Sequence, residues 1–222
     1  MQTLLNTPHE IIQQNILGAA AKARTRILNI LVLGMMAGSF IAMGAQSSSL
    51  AVHNISNVGL ARTLAGCIFP VGLMMIVFVG GELFTGDCMM SMAWMQRKIH
   101  FADMLRTLVL VYVSNFVGAA LIAFLVAHSG QYDYSSGALG AYTIKVAYGK
   151  VHLSFANALV SGILCNILVC VAVLMAAAAK DIAGKVLAIF FPILAFVVSG
   201  FEHCVANMYY IPAGIFASKN AA

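Results

Sequence analysis

The chain has 222 residues, of which 62% are hydrophobic and only 9% are charged. Soluble domains average about 25% charged residues, so this composition excludes an ordinary soluble protein and indicates an integral membrane protein. Each span needs about 20 apolar residues, so the length accommodates several spans in one bundle and leaves no room for a separate soluble domain. The net charge of +5 does not indicate a nucleic-acid partner, because the basic residues lie between apolar runs.

The first 26 residues predict a short amphipathic helix that lies on a surface. Thr7 is a cap residue, Pro8 suits the first helical position, and Glu10 completes a capping box. Apolar residues then recur at roughly helical spacing. The polar residues 13–15 interrupt them where a secretory signal would be continuously apolar, so a signal peptide is not predicted.

Five long apolar segments follow and predict an all-α, polytopic membrane bundle. They cover approximately residues 27–52, 64–95, 105–127, 155–179 and 186–216. The second and fifth resemble each other, since each has a proline near its start, Pro70 or Pro192, and a glycine–glutamate motif about 10 to 12 residues later. Such internal repeats are typical of transporter folds. Three spans in the first half would require three in the second, which holds two.

The two glutamates of these motifs, Glu82 and Glu202, lie inside apolar segments. An ionised side chain at membrane depth costs a few kcal/mol, so such a residue usually faces a protein interior or a water-filled path. Glycine at Gly81 and Gly200 lets the helix break, and a broken helix can present its backbone dipoles to a solute. Both motifs therefore predict interrupted helices beside a pore.

Lysine and arginine are divided unequally between the two sides of the predicted bundle. Eight lie before the first span or in the connections between spans two and three and between spans four and five, against four on the opposite side. The positive-inside rule then places the N-terminus in the cytoplasm and the tyrosine-rich loop at residues 128–154 outside.

The five cysteines predict neither a disulfide framework nor a structural zinc site, because their number is odd and no C-x-x-C motif occurs. Cys204 follows His203, but adjacent residues on a helix point about 100 degrees apart, and no third ligand is evident. No metal and no cofactor are expected.

Two motifs around the predicted breaks resemble those of the formate/nitrite transporter family of small-anion channels. They are Gly-Glu-Leu-Phe-Thr-Gly-Asp at residues 81–87 and Gly-Phe-Glu-His-Cys-Val-Ala-Asn-Met at residues 200–208. The similarity runs from about residue 27 to residue 214, and it includes residues 150–152, 162–166 and 211–214. The resemblance implies an aquaporin-like helical bundle with interrupted second and fifth spans. It also implies a homopentamer in the inner (plasma) membrane, with one pore through each protomer.

On this interpretation the chain has a cytoplasmic amphipathic helix at residues 1–26, a transmembrane channel domain at residues 27–216 and a C-terminal end at residues 217–222. The family pattern has six spans, whereas no further apolar segment follows the fifth. An uncovered groove would expose broken-helix backbone to lipid, where no water can satisfy it. The expectation is therefore a truncated chain or, less favoured, a second chain that fills the gap.

The resemblance also assigns a role to individual apolar residues. Leu83 and Phe196 would form the cytoplasmic constriction of the pore. Three further residues would form the periplasmic one: Phe69, Phe84 and Val169. Apolar rings of this kind exclude hydrated ions. From the sequence alone, however, aromatic and aliphatic residues at these positions are equally consistent with ordinary packing.

Polar residues would line the path between and beyond these rings. Thr85 and His203 would face the central chamber, and Lys150 would lie in the outer vestibule, where its charge concentrates anions. The remaining three would form hydrogen bonds around the helix breaks: Asn166, Asn207 and Glu202. A histidine that titrates near neutrality can exchange a proton with the solute, so an anion could pass as its neutral acid. The alternatives are a core histidine and a solvated loop lysine, and Asp87 could cap the half-helix that follows the first break.

Three classes of function are weighed on this basis. The favoured one is a channel for small monovalent anions, namely formate, nitrite or hydrosulfide, surrounded by membrane lipid. An aquaporin-like channel for small neutral solutes is the main alternative, but the paired Asn-Pro-Ala motifs that it would need are absent. A membrane-embedded enzyme or metal carrier lacks a plausible set of three ligands or catalytic groups, so no enzymatic activity is predicted.

Overall fold

The computed structural model of the protein describes residues 5–220 and consists of helices joined by short connections. No β-strand occurs among these residues, which confirms the predicted all-α class. The helices in this range are α1 (Pro8–Lys22), α2 (Ile27–Val52), α3 (Val58–Ile68), α4 (Val71–Val79), α5 (Phe84–Asp87), α6 (Met90–Met95), α7 (Phe101–Ala127), α8 (Ala138–Val151), α9 (Phe155–Ala178), α10 (Ile182–Ser199) and α11 (Cys204–Asn220).

Five stretches within residues 5–220 are long and apolar enough to cross a membrane. They are Ile27–Val52, Val58–Val79, Phe101–Ala127, Phe155–Ala178 and Ile182–Ser199. The second comprises α3 and α4 and begins before residue 64, where the apolar segment was predicted to start, because the Asn57 side chain accepts a hydrogen bond from Leu60 N at 3.0 Å and caps the helix. The predicted membrane bundle is confirmed.

Two helices that are too short to span the membrane mark opposite ends of the bundle. At one end, α1 packs against α6 and the start of α7 through Ile16, Met90 and Met104. At the other, α8 packs against α11 beside the end of α7. We call these ends the α1 side and the α8 side. Because α2 leads away from α1 and the long helices follow one another with short turns, successive spans alternate in direction between the two sides.

The start of α1 has the capping box that the sequence predicts. The Thr7 hydroxyl accepts a hydrogen bond from Glu10 N, and the Glu10 carboxylate accepts one from Thr7 N at 2.6 Å. The backbone N–H and the hydroxyl of Thr7 both donate to the exposed Glu10 carboxylate and lower its pKa, because they favour its ionised form. The cap fixes where α1 begins, and buried Ile11 and Ile16 then hold the helix against the bundle.

The connection at residues 128–154 contains a helix, whereas the sequence predicts a loop there. Helix α8 begins after Gly137, whose φ of +84° is a left-handed conformation that favours glycine. Its 14 residues bury Leu139 and Ala147, among others, against the bundle. The helix is too short to cross a membrane, which explains why its apolar content does not read as a span.

The two predicted interruptions are both present. Gly80 ends α4 with a φ of +102°, and Gly200 ends α10 with a φ of +73°. An L-residue with a side chain rarely adopts these angles, so each glycine fixes the point where its helix stops. The chain is non-helical at residues 80–83 and 200–203, and then α5 and α11 begin. The second and fifth spans are therefore interrupted, as the sequence predicts.

Small residues bring α2 and α7 into close contact. A Cβ atom added at Gly38 would lie 2.0 Å from the Asn115 carbonyl oxygen, and one added at Gly118 would lie 2.0 Å from the Met35 carbonyl oxygen. Neither position can hold a side chain without moving the backbone of the partner helix. This contact fixes the position of α7 against the first half of the bundle.

The two halves hold their breaks in the same way. Glu82 N donates to the Leu33 carbonyl on α2 at 3.1 Å, and Glu202 N donates to the Ser161 hydroxyl on α9 at 2.9 Å. The flanking sequences correspond, with Leu-Val-Leu-Gly at residues 31–34 and Leu-Val-Ser-Gly at residues 159–162. The repeat predicted from the second and fifth segments therefore extends to the helices that support them.

Candidate functional site

The N-terminal ends of α5 and α11 meet at the centre of the bundle. Thr85 Oγ1 lies 3.3 Å from His203 Nε2, and each residue is only 4% exposed. Ala206 N donates to His203 Nδ1 at 3.1 Å. Since Nδ1 accepts this hydrogen bond, the neutral ring carries its proton on Nε2, which can donate to Thr85. The structure brings together the two predicted chamber residues, one from each break.

Aromatic rings cover the imidazole of His203. The Phe196 ring stacks on it with a centroid distance of 5.8 Å, and the Phe69 ring approaches at 6.4 Å. Phe69 and Phe196 also contact each other edge to face at 5.5 Å. Phe69 and Phe196 therefore form an apolar layer that packs on the imidazole of His203.

Two adjoining cavities lead from the α8 side towards this layer. The inner one has a volume of about 110 Å³ and is lined by Phe69, Phe196 and His203, among others. The outer one has a volume of about 220 Å³. Both are lined by Lys150 and Tyr210, which places the ammonium group in the passage between them. The resemblance predicts an outer-vestibule role for Lys150, and that role stays a prediction.

Glu202 is the counter-ion of Lys150. The Lys150 ammonium donates to both carboxylate oxygens, at 2.7 and 2.8 Å, and Asn207 Nδ2 donates to the same carboxylate at 2.8 Å. The Lys150 and Glu202 side chains are 21% and 13% exposed. An ammonium group has three donors, so at least one N–H of Lys150 remains for a solute. The ion pair with Lys150 offsets the free-energy cost of burying the Glu202 carboxylate at membrane depth.

A matching cluster lies on the α1 side and was missed in the sequence. Lys22, at the end of α1, contacts the carboxylates of both Glu82 and Asp87, the latter at 2.5 Å. From the sequence, Lys22 serves only to set the orientation in the membrane, and Asp87 could cap a half-helix. The predicted cap is wrong, because Asp87 lies at the end of α5 and pairs with Lys22. The spacing could have revealed the cluster: Glu82 and Asp87 are as far apart in sequence as Glu202 and Asn207.

A cavity of about 350 Å³ opens at this cluster. Lys22 and Asp87 line it together with Leu73 and Leu83, which are 3% and 4% exposed. Leu73 is a second apolar residue at this end of the path, and nothing in its sequence context distinguishes it from other core leucines. The same elements thus recur at both ends of the bundle: a lysine, a break glutamate and an apolar layer.

Asn115 supports the first break, although nothing in its sequence context marks it as a site residue. Its Nδ2 donates to the carbonyls of Gly34 and Glu82, both at 2.8 Å, and its Oδ1 accepts from Phe84 N at 3.0 Å. The side chain is fully buried on α7. It pairs the Glu82 carbonyl and the Phe84 N–H, two backbone groups at the interruption that no water could satisfy at membrane depth, and it ties them to Gly34 on α2.

The remaining predicted site residues, Asn166, Phe84 and Val169, lie in different parts of the structure. Asn166 lines a side cavity of about 520 Å³ beside Thr85 and His203, and its Oδ1 has no hydrogen-bond partner. The Phe84 ring packs on Tyr112 at 5.0 Å, and Val169 lies in the core at 1% exposed. The role of each stays a prediction.

Leu83 and Phe196 line different cavities. Leu83 lies at the α1-side cavity, whereas Phe196 lies with Phe69 at the α8-side cavity. Both belong to one continuous core cluster. Leu83 and Phe196 therefore line separate cavities, and their shared constriction stays a prediction. Over residues 5–220, no group of three His, Cys, Asp or Glu side chains is arranged to hold a metal ion.

Comparison with known proteins gives consistent matches over most of the chain. The family model described as "Formate/nitrite transporter" matches residues 9–222. The "Uncharacterized transporter YrhG" of Bacillus subtilis is 39% identical over 215 residues, which are 96% of this chain and 80% of that protein. The "Formate channel BtFdhC" of Bacillus thuringiensis is 38% identical over 213 residues, covering 95% of this chain and 82% of that protein.

A solved structure described as a "Pentameric formate channel with formate bound" has a TM-score of 0.79 and 31% identity, over 88% of this chain and 78% of that one. These similar proteins are described as channels and transporters, and the chain is a membrane transport protein rather than an enzyme. The family match, its length and the interrupted spans agree, and the chain belongs to the formate/nitrite transporter family.

Proposed function

We propose that the protein conducts small monovalent anions, with formate as the first substrate, through one path in each protomer. The observation that carries the proposal is the Thr85–His203 contact between two lysine-bearing cavities. A buried polar pair at the meeting point of two half-helices can receive a solute that has shed its water. The similar protein described as a formate channel supports formate as the substrate.

Each end of this path attracts anions and then removes their hydration. Lys150 on the α8 side and Lys22 on the α1 side provide ammonium donors at the cavity mouths. The apolar layers beyond them oppose hydrated ions more than neutral molecules. An anion that gains a proton near His203 can cross these layers as its neutral acid. This sequence of steps accounts for lysines at both ends and a histidine between them.

Nitrite and hydrosulfide are the further substrates that we propose. Both share the small size and single charge of formate, and the lysine donors do not distinguish between anions of this kind. The family description names nitrite beside formate, which supports the first of them. Arg62 also lines the outer cavity on the α8 side, and like the lysines it attracts any small anion without distinguishing among the three.

The charges support the orientation that we propose, and the structural match supports the assembly. We place the α1 side in the cytoplasm of a cell whose inner (plasma) membrane holds the channel domain at residues 27–216, because eight of the twelve basic residues lie on that side. The pentameric structure that this fold matches supports a homopentamer. Exposed apolar residues on the long helices then contact lipid or neighbouring protomers.

Swelling of proteoliposomes tests this proposal against the alternative of a neutral-solute channel. Vesicles that contain the protein should swell faster than empty vesicles in isotonic ammonium formate, and should match empty vesicles in glycerol. Equal acceleration in both solutions would support the aquaporin-like alternative. Metal analysis of the purified protein separately tests the metal-carrier alternative, for which a stoichiometric metal content would be required.

A further inference from the structure

The lysine clusters on the two sides differ at one position. On the α8 side, the amide of Asn207 donates a hydrogen bond to the Glu202 carboxylate at 2.8 Å. On the α1 side, the repeat-equivalent residue is Asp87, five positions after Glu82 as Asn207 is five positions after Glu202. An ionised aspartate has no proton to donate, so the hydrogen bond that Asn207 makes has no counterpart unless Asp87 carries a proton.

The burial of Asp87 and the net charge of its cluster with Lys22 and Glu82 both indicate that one of the two carboxyl groups carries a proton. Asp87 is 3% exposed, and its Oδ2 has no hydrogen-bond partner, while its Oδ1 accepts from Lys22. The Lys22 ammonium also contacts Glu82, so both carboxyl groups surround one positive charge. With both ionised, this cluster would carry a net charge of −1 at membrane depth, whereas the Lys150–Glu202 pair is neutral. One shared proton makes the two clusters equal in charge.

We propose that Glu82 and Asp87 together hold one exchangeable proton, donated by Asp87 Oδ2 to the Glu82 carboxylate, at the α1-side mouth of the path. The ligand of this site is a proton. Release of the proton leaves the cluster with a negative charge that repels an entering anion, and uptake restores a neutral, lysine-bearing mouth. The site therefore makes anion entry from the α1 side depend on pH, separately from His203.

The charged and titratable neighbours of this pair are few. Lys22 faces it from α1, and Cys88 follows Asp87 at the end of α5. The other polar residues around the α1-side cavity are the uncharged Gln14 and Asn15 of α1. The side chains that line this cavity from α4 and α9 are apolar. Within residues 5–220, the two carboxyls are thus the acidic groups that can share the proton.

Infrared difference spectroscopy of the purified full chain tests the site without reference to transport. The expected result is a carbonyl band of a protonated carboxyl group near neutral pH that vanishes in Asp87→Asn and on raising the pH. Asp103→Asn, which removes a partly exposed carboxylate in the first turn of α7, should leave the band unchanged. A wild-type spectrum without such a band, or a band that persists in Asp87→Asn, would overturn the proposal.

Two further variants keep the test decisive if Asp87→Asn folds poorly. Glu82→Gln removes the acceptor of the shared proton, so Asp87 should ionise beside Lys22 and the band should again be lost. Asn207→Asp copies the α1-side pair onto the α8 side and should add a second carboxyl band. A band unaffected by Glu82→Gln would contradict the shared proton.

The flux measurement rests on the proposed function. Formate entry from the α1 side should fall several-fold between about pH 5 and pH 8 in wild type, and less so in Asp87→Asn, whose neutral amide resembles the protonated acid. If the infrared band behaves as expected while wild-type vesicles conduct no formate, the proposed function fails and the proton site stands. If formate passes but Asp87→Asn leaves both band and pH profile unchanged, the proton site fails alone.

Discussion

Thr85 and His203, which are 118 positions apart in the sequence, contact each other at 3.3 Å and join the two interrupted spans. Replacement of His203 by Phe removes the partner of Thr85 and the acceptor for Ala206 N. We expect an assembled protein whose formate flux has lost the histidine-dependent part of its pH profile across about pH 5 to 8. Stopped-flow flux at several pH values measures this. An unchanged profile would remove His203 from the mechanism.

Variants of the Lys150–Glu202 pair distinguish two roles of Lys150, attraction of anions and neutralisation of the Glu202 charge. Lys150→Ala leaves Glu202 partly buried without its counter-ion, and we expect a loss of about 2 to 3 kcal/mol of stability, somewhat less than the roughly 3–5 kcal/mol of a fully buried pair. Adding Glu202→Gln should recover much of the stability because no unpaired charge remains. Formate flux should stay low in both variants.

Lys150→Arg provides the matched comparison, since it keeps the positive charge and should retain part of the flux. Thermal unfolding and flux are measured on the same preparations at low and high salt. Recovery of full, salt-independent flux in the Lys150→Ala/Glu202→Gln variant would show that the lysine serves only to neutralise the glutamate.

Leu83 lines the α1-side cavity and Phe196 lines the inner α8-side cavity, and substitutions test the predicted gate at these residues. Replacing both with Ala should widen the path and allow larger anions to leak, because an apolar constriction closes by dewetting. The packing alternative predicts a loss of several kcal/mol through cavity formation with selectivity unchanged. A destabilised but equally selective variant would therefore reject the gate.

The contact between α2 and α7 predicts a large effect of one added methyl group. A Cβ at position 38 would lie 2.0 Å from the Asn115 carbonyl oxygen, so Gly38→Ala should cost about 1–3 kcal/mol through overpacking and should disturb the break that Asn115 supports. Gly149→Ala on α8, where nothing lies within 4 Å of the new atom, is the matched control. It should be neutral or slightly stabilising. Similar thermal shifts in the two variants would contradict the close contact.

The sequence predicted the membrane class, the apolar segments and both interruptions, because these depend on local composition and on glycine at fixed positions. It also selected Thr85 and His203, through motifs next to the breaks. Lys22, Leu73 and Asn115 were missed because their roles arise from contacts between distant segments: a lysine at the end of α1 and an asparagine inside α7 look ordinary in sequence. Leu83 and Phe196 line different cavities, and their pairing in one constriction stays a prediction.

Anion flux through reconstituted protein tests the central claim most directly. Uptake of labelled formate, nitrite and hydrosulfide is measured side by side in vesicles of equal protein content, with glycerol and a larger anion such as gluconate as the controls. A small-anion path predicts uptake of formate well above that of empty vesicles, with glycerol and gluconate excluded. Formate uptake no faster than in empty vesicles, or equal passage of glycerol, would contradict the account.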